Sequence, residues 1–330
     1  MNRRQKRSIT LLIRLAASVL FIALLSRWLD WQELRQAATR IRMDLFLVSL
    51  VLVLLNEVII AVRLRILMES MKLRLTTARV VKIGLMSRFY AVFLPSGIGL
   101  LLARWYKVTE NRVERLDFAA VTFTEKILFL TTTLVSVAVP LVLFPDPQIQ
   151  SIYRPLLFSL AVVFLIVFFV FSFCTGSLGT GRLFSNIEII YQKVTGRKST
   201  PVTLVQEALQ KVFSSPKRMI KAGLLSVLIQ AGIIMRIGLL ILAVGALLPW
   251  STVLWLGSFI FLVQVIPISF SGLGVRESAF AFAFSLYGLQ AEEGTLVGLL
   301  FFLQALIAAG IGGFLEFSDR SHLERPGEKK

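Results

Sequence analysis

The chain has 330 residues, is 56% hydrophobic with 26 Phe, and carries a formal net charge of +17. That composition excludes an ordinary soluble domain, and a mean hydropathy of +0.78 indicates a polytopic membrane protein. The single Cys and the single His exclude an internal disulfide and a His/Cys metal site.

The elements follow in chain order. The basic start, Asn2 to Arg7, resembles a signal peptide's charged region, but no small-x-small cleavage site follows near Ser26. It reads as the cytoplasmic flank of an uncleaved first span, about Ile9–Leu29. A short connection, Asp30 to Arg42, leads to span two, about Leu45–Leu67, whose far end is rich in Arg and Lys and so predicts a cytoplasmic loop. The stretch Val80–Ala103 is broken by Pro95-Ser96-Gly97, and charges follow it to Asp117; this predicts a re-entrant hairpin that enters from the cytoplasm and returns there. Span three, about Phe118–Phe144, ends at an outer Pro-Asp-Pro turn, and span four covers about Tyr153–Phe173.

The segment 175–221 is basic and contains helical apolar spacing at Phe184, Ile187, Ile190, Tyr191 and Val194, which predicts a cytoplasmic amphipathic helix on the inner leaflet. Span five runs from about Ile220 to Leu248 and ends at an outer turn with Trp250. Two arms, Thr252–Ile266 and Ala279–Leu289, flank a second break; each is short of the roughly 20 residues a crossing needs, so a hairpin from the outer side is expected. Span six, about Thr295–Phe317, returns the tail to the cytoplasm.

The two breaks share a pattern. Leu94-Pro95-Ser96-Gly97-Ile98-Gly99 leads to Arg104, and Pro267-Ile268-Ser269-Phe270-Ser271-Gly272-Leu273-Gly274-Val275 leads to Arg276-Glu277. Pro95 and Pro267 are 172 residues apart, as are Arg104 and Arg276, and the spans around them fall into the same order with opposite predicted orientation. The fold class expected is therefore an all-α integral membrane protein. It has about six full spans and two re-entrant helical hairpins in an inverted-topology repeat. The whole chain, 1–330, is one transmembrane domain, with repeat A at about 9–144 and repeat B at about 153–317.

Chemistry concentrates at the breaks and inside the spans. Arg104 and Arg276, beside Gly-rich backbone whose N–H groups are freed, suit a phosphate oxyanion; the bland alternative is an arginine that snorkels or caps carbonyls. Glu277 is placed to open the next helix. Asn56, Glu57, Glu125, Lys126, Gln230, Arg236, Gln264 and Gln304 lie within apolar spans. Glu57 must meet a cation there, with Arg88 and Arg236 as partners, and buried structural ion pairs compete with a functional reading. There is no Walker loop, no Gly-x-Ser-x-Gly elbow and no loop cluster of carboxylates, so neither a cofactor nor catalysis is expected.

Pro-Ile-Ser-x-x-Gly-Leu-Gly-Val-Arg-Glu, over Pro267–Glu277, resembles the C-terminal signature of the lysylphosphatidylglycerol synthase transmembrane-region family, also called flippase-like proteins. Leu94-Pro95-Ser96-Gly97-x-Gly99 with Arg104, then Thr124-Glu125-Lys126, resembles its N-terminal signatures. The chain departs from the pattern in reading Gly99-Leu100-Leu101 where the family has Gly-Gly-Asp, and Glu125-Lys126 for Glu-Arg. The resemblance implies a multi-span inner-membrane protein that moves or handles an anionic lipid or a polyprenyl-phosphate-linked sugar, both termini being cytoplasmic. The aminoacyl-transferase domain of some relatives is not expected here.

The substrate site expected comprises Arg104, Arg276, Glu277, Pro95, Gly97, Gly99, Ser269, Gly272, Gly274, Glu125, Lys126, Glu57 and Arg236. Its partner is an anionic membrane lipid or lipid-linked sugar, not nucleic acid. The alternatives are an accessory subunit presenting lipid to a separate membrane or cytoplasmic transferase, and a transferase using Glu125 or Glu277 as base.

Overall fold

The structure, a computed structural model, describes residues 31–73, 75–93, 98–109, 112–144, a few residues between 155 and 165, 209–265 and 274–323. Span one, most of span four and of the 175–221 segment, and the turns holding Pro95, Gly97, Ser269 and Gly272 lie outside the described residues.

Nine α-helices and no strands are found among the described residues: α1 Trp31–Thr39, α2 Met43–Met68, α3 Thr77–Phe93, α4 Ile98–Val108, α5 Arg112–Leu143, α6 Pro216–Ala243, α7 Trp250–Val265, α8 Val275–Leu286 and α9 Ala291–Leu323. The protein is an all-α membrane protein. Met43–Met71, Asp117–Leu143, Pro216–Ala243 and Ala291–Ser318 are long and apolar enough to cross a bilayer. Leu47, Val51, Leu55 and Val58 of α2 and Leu224, Val227 and Met235 of α6 lie on the outside, the surface a lipid phase favours.

Two expectations need correction. The connection 30–42 contains a helix, α1, because Trp31-Gln32-Glu33-Leu34-Arg35-Gln36-Ala37-Ala38 is made almost wholly of good helix formers. Span five starts at Pro216, inside the segment read as loop, where proline occupies the first helical turn and its missing N–H costs nothing.

α2 and α6 form the centre of the bundle and run antiparallel. The Arg42 N–H donates to Ala243 O at 2.9 Å, Asn56 Nδ2 to Ile229 O at 3.3 Å, and Arg63 Nη1 to Ser226 Oγ at 2.9 Å, so α6 numbers fall as α2 numbers rise. The basic ends of both helices, Arg65 to Lys82 and Lys217 to Lys221, therefore lie together. Gly232 permits the close crossing: a Cβ there would sit 2.5 Å from Asn56 Oδ1.

The packing repeats under exchange of the two halves. α3 packs on α4 and on α9; in the mirror pairing α7 packs on α8 and on α5. α2 touches α3 and α5 as α6 touches α7 and α9. α3 and α4, of 17 and 11 residues, are too short to cross at about 1.5 Å per residue. α3 starts six residues after the end of the 3-10 turn Glu69–Met71, and α4 ends where Lys107 Nζ meets Glu316 Oε2 of α9 at 2.6 Å. α7 and α8 begin and end beside the opposite ends of α6 and α9, respectively.

Candidate functional site

Polar side chains form a column inside the bundle. On α2, Ser49, Asn56 and Arg63 recur every seven residues, which places them along one face, and all three are buried. Opposite them on α6 lie Ser226, Gln230 and Arg236, also buried. Gln230 Nε2 donates to Ser258 Oγ of α7 at 2.9 Å, and Thr133 Oγ1 of α5 lies 3.2 Å from Gln230 Oε1. Charge gathers in two clusters on this column.

The first cluster lies toward the basic end. Glu125 of α5 accepts from Arg63 Nη2 at 2.9 Å and from Arg104 Nη1 of α4 at 3.5 Å. Arg63, Arg104 and Glu125 are all buried. Glu57, midway along the span Met43–Met71, pairs with Arg88 of α3. Gly84 of α3 faces between these groups: a Cβ there would lie 3.5 Å from Glu57 Oε2 and 3.7 Å from Arg104 Nη2. The Arg88 side chain is 31% exposed and forms the open face of the cluster.

The second cluster is built differently. Arg236 of α6 donates from Nε to Gln304 Oε1 at 2.6 Å and from Nη2 to Phe301 O at 3.1 Å, and its guanidinium carbon lies 3.7 Å from the Phe301 ring centre. Gln304 in turn donates to Ser49 Oγ of α2. Arg276 of α8 donates from Nε to Glu277 Oε1 at 3.1 Å, bonds the same oxygen from Nη2, and lies 5.4 Å from the rings of Phe301 and Phe302. Glu277 Oε2 accepts the Gly274 N–H at 2.7 Å, so one carboxylate caps α8 and holds Arg276. Gly274 supports this cap at φ +84°, a backbone conformation open to glycine. Arg236 lies within electrostatic range of Arg88, Arg276 and Glu57, so the two clusters form one charged interior.

The sequence matches the family described as Lysylphosphatidylglycerol synthase TM region over residues 11–313. The chain belongs to that family. No curated protein and no solved structure matches it. Arg104 and Arg276 are thus buried in opposite halves of one interior, each against a glutamate.

Of the residues singled out from sequence, Glu57, Arg104 and Glu125 come together in the first cluster, and Arg236, Gly274, Arg276 and Glu277 in the second. Glu57 chooses Arg88 over Arg236. Lys126 stands on the outer surface of α5, exposed, with its ammonium 6.0 Å from the Phe129 ring. Gly99 lies in the first turn of α4, while Pro95, Gly97, Ser269 and Gly272 fall outside the described residues. Two nitrogens of Arg276, Nε and Nη2, are taken by Glu277.

Arg63 is the residue that sequence reasoning missed as part of the site. It reads there as one more charge at the basic end of span two. The signal that marks it is its seven-residue spacing from Asn56 and Ser49, which puts it on the polar face of α2 instead of at the headgroups.

Proposed function

We propose that this protein translocates an anionic phospholipid or polyprenyl-phosphate-linked lipid across the bacterial inner membrane. Arg104 of the first hairpin and Arg236 of α6, in the other half, hold the headgroup phosphate in turn. The observation that carries this reading is the buried polar column of α2 and α6, with one arginine cluster toward each end of the pair. An intramembrane charge is expensive, and a line of them between antiparallel, repeat-related helices fits alternating access to one interior site. Both basic ends of α2 and α6 would face the cytoplasm, with both chain termini on the same side. No chemistry on the lipid is required: the residues bind and release charge.

Arg104 and Arg236 act as the exchanging donors, since Arg276 is held by Glu277. Glu57 and Glu125 keep the guanidiniums in place while no headgroup is bound, and the headgroup displaces them by offering a competing oxyanion. Purified protein in liposomes carrying a fluorescent phospholipid in one leaflet tests the reading directly. Wild type should flip the lipid, while Arg104→Gln and Arg236→Gln, expressed and folded, should lose most of the rate. Arg104→Lys should recover only part, because an ammonium lacks the planar fork. Lipid binding without flipping, by protein alone, would replace translocation with the role of an accessory subunit that presents lipid to a transferase.

A further inference from the structure

The first cluster carries more positive charge than its carboxylates balance. Arg63, Arg88 and Arg104 face Glu57 and Glu125, an excess of one. Lys126, next to Glu125 and within electrostatic range of all three arginines, raises it to two. Each of the three guanidiniums also keeps a buried Nε–H with no hydrogen-bond partner among the described residues. Arg63 and Arg104 are 2% and 6% exposed, so bulk water does not satisfy those donors. Three unmet charge-bearing donors and a surplus of two positive charges occur nowhere else among the described residues. In the second cluster, Arg276 has its own carboxylate, and Arg236 is met by an amide, a carbonyl and a ring.

We infer that the first cluster is built for a dianionic terminal phosphate — a phosphomonoester or the end group of a diphosphate — and discriminates against a monoanionic phosphodiester. A terminal phosphate offers three unsubstituted oxygens and, above its second ionisation near pH 6, a charge of about −2. A phosphodiester offers two such oxygens and a single charge. Donor count and charge surplus therefore select the same chemical group. Arg88, part-buried with its side chain 31% exposed, marks where the headgroup enters, while Lys126, on the outer surface of α5, adds its charge at longer range. The inference deepens the translocation reading by naming its headgroup class, but it concerns binding, and binding is measured without transport.

The test uses full-length protein in detergent at pH 8, with short-chain phosphatidic acid as the phosphomonoester probe and short-chain phosphatidylglycerol as the phosphodiester. Phosphatidic acid should bind at least about tenfold more tightly, a difference of 1.4 kcal/mol. Inorganic pyrophosphate should compete with it, which separates the phosphate group's share of the affinity from that of the acyl chains. In Lys126→Gln, which removes one charge from an exposed position and leaves the buried pairs intact, the preference should shrink several-fold. Arg63→Gln should shrink it further in protein that remains monodisperse. Equal affinity of the wild type for the two lipids, or a preference unchanged in Lys126→Gln, overturns the inference. A retained preference in protein that fails to flip either lipid leaves this inference standing and rejects translocation instead.

Discussion

Two glycines of α9, two residues apart, should respond in opposite directions to the same substitution. A Cβ added at Gly312 would lie 1.9 Å from Leu85 O and 2.5 Å from Leu85 C of α3, both backbone atoms that cannot turn aside. A Cβ added at Gly310 would meet nothing within 4 Å. Gly310→Ala therefore collects only the helix-propensity gain of about 1 kcal/mol. Gly312→Ala collects the same gain but must push α9 off α3. Overpacking of this kind costs about 1–3 kcal/mol, and a contact this short belongs at the upper end. The net expectation is a loss of about 2 kcal/mol for Gly312→Ala against a gain of about 1 kcal/mol for Gly310→Ala. At about 2–4 °C per kcal/mol, the two variants should melt roughly 6–12 °C apart. Fluorescence-detected size exclusion after heating measures this in detergent. Equal melting temperatures, or a Gly312→Ala protein more stable than wild type, would refute the α3–α9 contact. The contact matters for function because α3 carries Arg88 and α9 also packs, through Gly294 and Gly298, on α8, which carries Arg276. One helix thus touches both hairpins.

Glu125→Gln should lower the melting temperature by about 6–20 °C, since removing one partner of a buried ion pair costs about 3–5 kcal/mol. The triple variant Arg63→Met, Arg104→Met and Glu125→Met, which leaves no member of the group charged, should regain most of that stability yet bind lipid poorly, as measured by the same melting assay and by lipid titration; full stability of Glu125→Gln alone would mean that the group is not buried as described. On a Cys174→Ser background, cysteines at the exposed Lys72 and Lys217 should label from one side of the membrane and a cysteine at the exposed Leu247 from the other. Labelling of positions 72 and 217 from opposite sides would reject the antiparallel pairing of α2 and α6.

Much of the architecture follows from the linear sequence. A run such as Leu45–Leu67 must cross a membrane because no other solvent accepts it, and the bias of Lys and Arg orients it. Pro95 and Pro267 predict helix ends, because proline lacks the N–H and clashes with the preceding turn, and α3 and α7 run to Phe93 and Val265. The interval from Pro to Arg, repeated after 172 residues, announces two related halves. Glu277 declares itself a helix opener by its place three residues after Gly274, and it does cap α8.

Partner choice belongs to the tertiary structure. Glu57 had two arginines within reason, and only the placement of α3 beside α2 decides for Arg88. Arg63 looks like a headgroup charge in sequence, yet the antiparallel crossing with α6 brings Ser226 to it and turns it inward. Lys126 and Glu125 are neighbours in sequence, but a helix sends adjacent side chains about 100° apart, so one reaches the interior and the other the outer surface. Hydropathy and spacing are properties of a single helix and can be read along it. Which buried charge meets which depends on how helices from distant parts of the chain cross, and that is set by packing across the interior.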